Sequence, residues 1–187
     1  MKTKDIVLVA LFTALLIVLG LIPPIPLPGV PVPVTLQTFG VMLAGLILGP
    51  VRGGLVLLLY VVLALLGLPV LPGGRAGLAV LAGPTAGFLL GMIPGAILTG
   101  WLAGRPAAQG HLEQGAGVWW QVLRCWAASM LGGVVLVYAF GIYWMAHVAG
   151  MDFPKAVWVM LVFVPGDACK AVVAAVVAQR IRRLNLV

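Results

Sequence analysis

Charge is what this sequence has least of. Only 8% of its 187 residues are charged, against about a quarter in a soluble globular domain. Four acids stand against eleven bases. So little charge cannot clothe a water-facing surface, which excludes an ordinary soluble domain. Cysteine is nearly absent as well. Cys125 and Cys169 fall near opposite ends of the expected apolar spans, too far apart to bridge, so no disulfide framework exists. His111 sits in a hydrophilic loop without a partner at ligand spacing, which argues against a metal site. A phosphate loop of the form G-x-x-x-x-G-K-[ST] is missing, so the chain carries no ATPase motif of its own. The net charge of +7 does not read as a nucleic-acid footprint, because the bases sit singly in loops and at the C-terminus.

What remains is apolar. Hydrophobic residues make up 63% of the chain and the mean hydropathy is +1.21. The apolar runs are long and lack period-two alternation, which argues for helices rather than a membrane barrel. The expected fold is all-α: a polytopic membrane protein, with residues 1–187 forming one compact bundle of six transmembrane helices. The first span runs from about Ile6 to Ile22. A proline-rich stretch follows it, with no small-residue cleavage site, so the span is expected to be retained. Prolines 23, 24, 26, 28, 31 and 33 impose a stiff, extended loop, either a lid or a plain connector. Thr35 to Leu48 forms a short second helix, with Thr35 placed to cap it and Gln37 offering both a donor and an acceptor. Gly49-Pro50 begins a tight turn, and a third span covers about Leu55 to Leu68. A glycine-rich connection carrying Arg75 leads to Gly83-Pro84-Thr85 and a fourth span, about Pro84 to Leu102. The longest hydrophilic loop, Ala103 to Gly117, holds Arg105, His111 and Glu113. The fifth span lies within Val118 to Ala149. Trp119, Trp120 and Trp126 mark one interface; Tyr143 and Trp144 lie toward the other, as belt residues or as lining of a site. Asp152 to Phe163 is too short to cross.

One stretch breaks the apolar monotony: Val164-Pro165-Gly166-Asp167-Ala168-Cys169-Lys170. Charges are absent from Ala156 to Val164 and from Ala171 to Ala178. Asp167 to Arg183 is 17 residues, roughly 25 Å of helix and close to the bilayer core. A sixth helix starting near Gly166 therefore puts Asp167 and Lys170 in its first turn, on one face, at the membrane end opposite the arginines. The pair is either a self-neutralising ion pair or a ligand site, in which a carboxylate accepts N–H groups and an ammonium donates.

Six spans place both termini on one side. Eight bases fall on that side: Lys2, Lys4, Arg52, Arg105, Arg124, Arg180, Arg182 and Arg183. Two, Arg75 and Lys155, fall on the other. The bias assigns the termini to the cytoplasm. Thr35, Gln37, Arg75, Thr85, Asp167 and Lys170 then converge at the outer face, and this convergence argues for an outward-facing pocket.

The segments Pro31–Gly45 (PVPVTLQTFGVMLAG), Gly67-Leu68-Pro69, Gly73-Gly74, Gly83-Pro84-Thr85 and Pro165-Gly166-Asp167-Ala168-Cys169-Lys170 resemble the BioY family, over nearly the whole chain and in the same order. Departures are modest: Ala86 stands where glycine is common and Phe88 where tyrosine is frequent. The resemblance implies the biotin-specific substrate-binding (S) component of an energy-coupling-factor (ECF) transporter. It implies a bacterial or archaeal cell-membrane protein that works with a transmembrane T component and two ABC ATPase subunits. Biotin is its transported ligand, and neither an enzymatic activity nor a cofactor is implied. An S component for another small vitamin is the alternative. In the biotin reading Asp167 accepts from the ureido ring, and Lys170 or Gln37 donates to its carbonyl. Arg75 and the Thr85 region are candidates for the valerate carboxylate, with Thr35 and Tyr143 as further binding residues. Ala10-Leu11-Phe12-Thr13-Ala14 puts small residues four apart, and the resemblance implies that Ala10 and Ala14 dock the T component. Spacing alone does not single them out, because Gly91 to Gly95 and Ala171 to Ala175 share it.

Overall fold

Inside hydrocarbon every backbone amide needs an internal partner, so these apolar runs fold as helices. The structure is a computed structural model, and it describes residues 2–104 and 118–184. Helix α1 is Thr3–Leu21. The run Gln37–Leu65 is two helices rather than one. Gly49 has φ +80° and ψ −177°, a region only glycine enters cheaply, and Pro50 follows it without an N–H to continue the ladder. The arms, α2 (37–48) and α3 (50–65), fold back on each other. Gln37 lies hydrogen-bonded to Tyr60, 23 residues on, and a β-carbon on Gly53 would sit 3.0 Å from the Ala44 carbonyl. Helix α4 is Ala86–Ala103. Helix α5 runs over 118–148, with a π-helical turn at Met130–Leu136. The short α6, Phe153–Leu161, is bent by 53° from α7, Val164–Arg183.

Four of these helical runs are long and apolar enough to cross a membrane, and the bent α6–α7 pair makes a fifth. Resolving the hairpin at Gly49 gives the six-helix, all-α bundle of a multi-pass membrane protein. The last helix begins at Val164, two residues ahead of the expected start, because Pro165 is comfortable in a first turn. The Thr35 cap does not form. Leu36 holds the N-cap position, and no side chain caps the helix. Beyond Gly104 the long hydrophilic loop, with Arg105, His111 and Glu113, lies outside the described residues.

The bundle has two distinct ends. At one, Arg52 pairs with Asp5 at 2.7 Å, and Arg124 donates to the Leu102 carbonyl at 3.1 Å. Arg182 reaches the carbonyls of Leu46 and Gly104 at the same end. At the other end lie the proline-rich loop, pinned by paired bonds between Ile25 and Val34, and the Leu71–Arg75 turn with its 3₁₀ segment Leu78–Ala82. Between the ends the core is tightly closed. Helix α7 turns a stripe of Ala171, Ala174, Ala175 and Ala178 inward, each fully buried. Such small residues let helix backbones approach closely where lipid gives no hydrophobic drive.

Gly100 of α4 lies against the hairpin turn. A β-carbon there would come 2.5 Å from both the Gly49 carbonyl carbon and the Pro50 nitrogen, and backbone cannot swing aside. Gly166 meets nothing within 4 Å. Gly100→Ala is therefore expected to destabilise the purified protein by about 1–3 kcal/mol, as overpacking does. Gly166→Ala should be neutral or stabilising by up to about 1 kcal/mol through helix propensity. Thermal unfolding in detergent measures both, and equal melting temperatures would refute the packing assigned to Gly100.

Candidate ligand-binding site

The polar residues that interrupt the apolar helices meet in one cavity, at the end of the bundle away from the termini. It encloses about 670 Å³ of empty space, counting the solvent at its open mouth. Each wall comes from a different element. The proline-rich loop contributes Val32 and Pro33, the Arg75 turn contributes Leu71 and Pro72, and α4 contributes Phe88, Leu89 and Met92. Met160 of α6 and Phe163 at the bend close the remaining side. The bent α6 is thus a shoulder of the cavity rather than a failed span.

Asp167 is the buried centre, 3% exposed. Its Oδ1 accepts from Thr38 Oγ1 at 2.9 Å and from Lys170 Nζ at 2.7 Å; its Oδ2 accepts from Tyr138 OH at 2.5 Å. Lys170 gives its other two protons to the Thr35 carbonyl at 2.7 Å and to Thr38 Oγ1 at 3.2 Å. An ammonium has three protons, so without ligand Lys170 is fully engaged. The pair is charge-assisted on both sides, and a buried carboxylate tolerates the bilayer interior only when held this way. Asp167 keeps one lone-pair direction, on Oδ2, without a partner among the described residues.

Arg75 sits at the mouth. Its Nε donates to the Pro72 carbonyl at 3.2 Å and its Nη1 to Thr85 Oγ1 at 3.2 Å, while the side chain stays exposed. Gln37 lies deeper, 6% exposed, and donates to Tyr60 OH at 2.8 Å. The structure therefore brings Thr35, Gln37, Arg75, Thr85, Asp167 and Lys170 to one cavity.

Tyr143 is not among them. It is 70% exposed and points away from the cavity lining. The tyrosine of α5 that reaches the site is Tyr138, five residues earlier and so on a nearly opposite face of the helix. Tyr138 lies two residues past the π-helical turn, whose extra residue per turn rotates the face that the downstream helix presents. Its ring also meets Phe88 edge-on, with centroids 6.0 Å apart. Tyr138 and Thr38 are the polar partners of Asp167 that the sequence did not single out as site residues. An interfacial tyrosine and a threonine in an apolar helix look ordinary until Asp167 is placed beside them.

The BioY family model matches residues 1–186. The chain belongs to the BioY family. It is 49% identical over 181 residues to the biotin transporter BioY of Rhizobium etli, covering 97% of this chain and 94% of that one. To the probable biotin transporter BioY of Bacillus subtilis it is 40% identical, over 97% and 91% of the two chains. Its fold is similar to the crystal structure, at 2.1 Å, of the S-component for biotin from an ECF-type ABC transporter. The TM-score is 0.86 at 32% identity, over 98% of this chain and 95% of that chain.

The engagement of Lys170 makes the network testable without any ligand. Lys170→Met leaves the Asp167 carboxylate buried without its cation, a loss on the order of 3 kcal/mol. Asp167→Asn/Lys170→Met removes both charges and should recover much of that loss. Thermal unfolding of the ligand-free variants measures the difference, and a double variant no more stable than Lys170→Met alone would show that the pair carries no such coupling.

Proposed function

We propose that this protein captures biotin at the outer face of the cell membrane, as the substrate-binding subunit of an ECF-type ABC transporter. The observation that carries the reading is the pairing of family with site. A BioY chain places one buried carboxylate and one ammonium, bonded to each other, in an otherwise apolar cavity. Biotin matches that chemistry. Its ureido ring carries two N–H donors and a carbonyl, and its bicyclic ring and chain are apolar. Asp167 receives a ureido N–H on its free Oδ2 direction. Lys170 turns a proton from Thr38, its longest contact at 3.2 Å, to the ureido carbonyl. Arg75, with Thr85 steadying one end of its guanidinium, meets the valerate carboxylate at the mouth. Leu89, Met92 and Phe163 pack against the apolar ring and chain. A site of this kind rejects analogues that lack an N–H, because Asp167 would be left with a desolvated, unfilled position.

The whole chain acts as one membrane-embedded unit with both termini in the cytoplasm. The bias of its bases supports this, as does their clustering at the end remote from the cavity, where Arg52, Arg124 and Arg182 lie. Its partners are a T component and a pair of ABC ATPases. It catalyses no reaction itself. Helix α1 supports the docking assignment. It buries Val9, Thr13, Leu16 and Gly20 against the bundle and leaves Ala10 and Ala14 on the outward side, among exposed Val7, Leu11 and Val18.

Asp167→Asn is expected to weaken biotin binding at least about tenfold, since charge assistance at the carboxylate is lost. Titration of labelled biotin into the detergent-purified parent and variant measures this. Unchanged affinity with the fold intact would remove Asp167 from the site, and a parent that binds another small vitamin but not biotin would replace the substrate.

Ala14→Trp puts a large side chain where two helix backbones must meet, on the outward face of the middle of α1 and outside the cavity lining. Pull-down of the partner subunits from membranes should fall sharply while the isolated variant still binds biotin. Normal pull-down would refute the docking face.

A further inference from the structure

A residue outside the cavity fixes the chemical sense of one inside it. Tyr60 of α3 is fully buried and does not line the cavity. Its hydroxyl lies 2.9 Å from the Val70 carbonyl and 2.8 Å from the Gln37 amide. A carbonyl can only accept, so the single hydroxyl proton goes to Val70. Toward Gln37 the hydroxyl has only lone pairs to offer. The Gln37 NH₂ must therefore face Tyr60, whichever way the amide is drawn, and the amide oxygen is the end left over. No group among the described residues donates to Gln37 Oε1. Among the described residues the side-chain polar atoms sealed off without a partner are Thr99 Oγ1 and Ser129 Oγ, so the Gln37 oxygen is not closed away. It belongs to a residue that lines the cavity and directly precedes Thr38, whose hydroxyl bonds Asp167.

The capacity of Asp167 gives that oxygen a task. Three of its four lone-pair directions are taken, by Thr38, Lys170 and Tyr138. One ligand N–H fits without displacing anything. The two N–H groups of a cyclic urea flank the carbonyl and point to opposite sides of the ring, so a second acceptor is needed away from Asp167. We propose that Tyr60 is a positioning residue: through the Tyr60–Val70 bond it locks Gln37 as the acceptor for the second ureido N–H. Gln37 is then not a donor to the ureido carbonyl, and that role rests with Lys170. This assignment rests on the biotin reading above and adds the element that orients it. It also accounts for a buried tyrosine hydroxyl placed next to a binding site without touching it.

The test is a set of biotin titrations on the full-length chain in detergent. Gln37→Met keeps length and removes the acceptor; affinity should drop about tenfold or more, as when a buried partner is left unpaired. Gln37→Glu, assayed at a pH acid enough to keep the new side chain protonated, gives its O–H to Tyr60, keeps a carbonyl acceptor toward the cavity and should stay within about threefold of the parent at that pH. If Gln37→Glu loses as much as Gln37→Met, Gln37 acts as a donor and the proposal is wrong. Tyr60→Phe should weaken binding about fivefold in the parent background and by less than about twofold on top of Gln37→Met, because it acts only through that amide. An equal loss in both backgrounds would make Tyr60 merely structural and overturn the positioning role. The Gln37 pair decides the acceptor claim even if Tyr60→Phe does not fold. A parent chain that does not bind biotin would instead overturn the functional reading, and this inference with it.

Discussion

A carboxylate 3% exposed in an apolar bundle cannot stand alone, and the arrangement around Asp167 follows from that constraint. Its neutralisation requires Lys170 one turn away on the same helix. Its remaining lone pairs require Thr38 from α2 and Tyr138 from α5. Three helices distant in sequence are thus tied at one depth by a single acid. Lys170 extends the tie to the loop before α2 through the Thr35 carbonyl. The site and the packing of this end of the bundle are one set of bonds, so a change at the site is felt as a change in the fold.

Helix α7 is fastened to the α2 arm at both ends. At the cavity Lys170 and Asp167 hold Thr35 and Thr38; at the far end the Arg182 guanidinium holds the Leu46 carbonyl, just ahead of the break at Gly49. That carbonyl lies in the last turn of a helix whose ladder Pro50 interrupts, so it needs an outside donor. Between the two fastenings the fully buried residues of α7 are alanines, with Val177 and Ile181 packed at their margin. Polar bonds at the ends and small residues between them form a rigid strut from the ligand end of the bundle to the end where its bases gather.

Much of this was legible in the sequence because lipid leaves few ways to hide a charge. Asp167 and Lys170 stood out against uninterrupted apolar runs, and the helix periodicity placed them on one face. Gly49-Pro50 announced the hairpin by steric necessity. What stayed hidden depended on rotation about helix axes. Tyr138 and Tyr143 share one helix about 140° apart in rotation, and the residue types did not tell which of the two faces inward, because the π-helical turn upstream of both resets the rotation of the helix that carries them. The Thr35 cap was plausible from residue type alone, but its carbonyl was wanted by Lys170 and helix α2 began after it. The shoulder formed by α6 could not be read from its length, because a bent pair and a failed span look alike in one dimension.

The ion pair in the cavity already has most of its partners within the protein, and that bears on selectivity. Every proton of Lys170 is committed and Asp167 has three donors, which leaves one Oδ2 direction and the Gln37 oxygen as the open acceptors among the described residues. A ligand gains only the difference between its own bonds and those it displaces. The exchange is cheapest at the 3.2 Å contact between Lys170 and Thr38, and Thr38 still keeps Asp167 as a partner after losing it. A molecule offering a carbonyl to Lys170 and an N–H to the free Oδ2 direction completes the network. One offering only an apolar ring fills volume but leaves the polar balance as it was, and one bringing a second buried carboxylate deep beside Asp167 would oppose it. In the proposed function, that balance is why the acid group of the ligand is assigned to the mouth, near Arg75, and its N–H donors to the bottom.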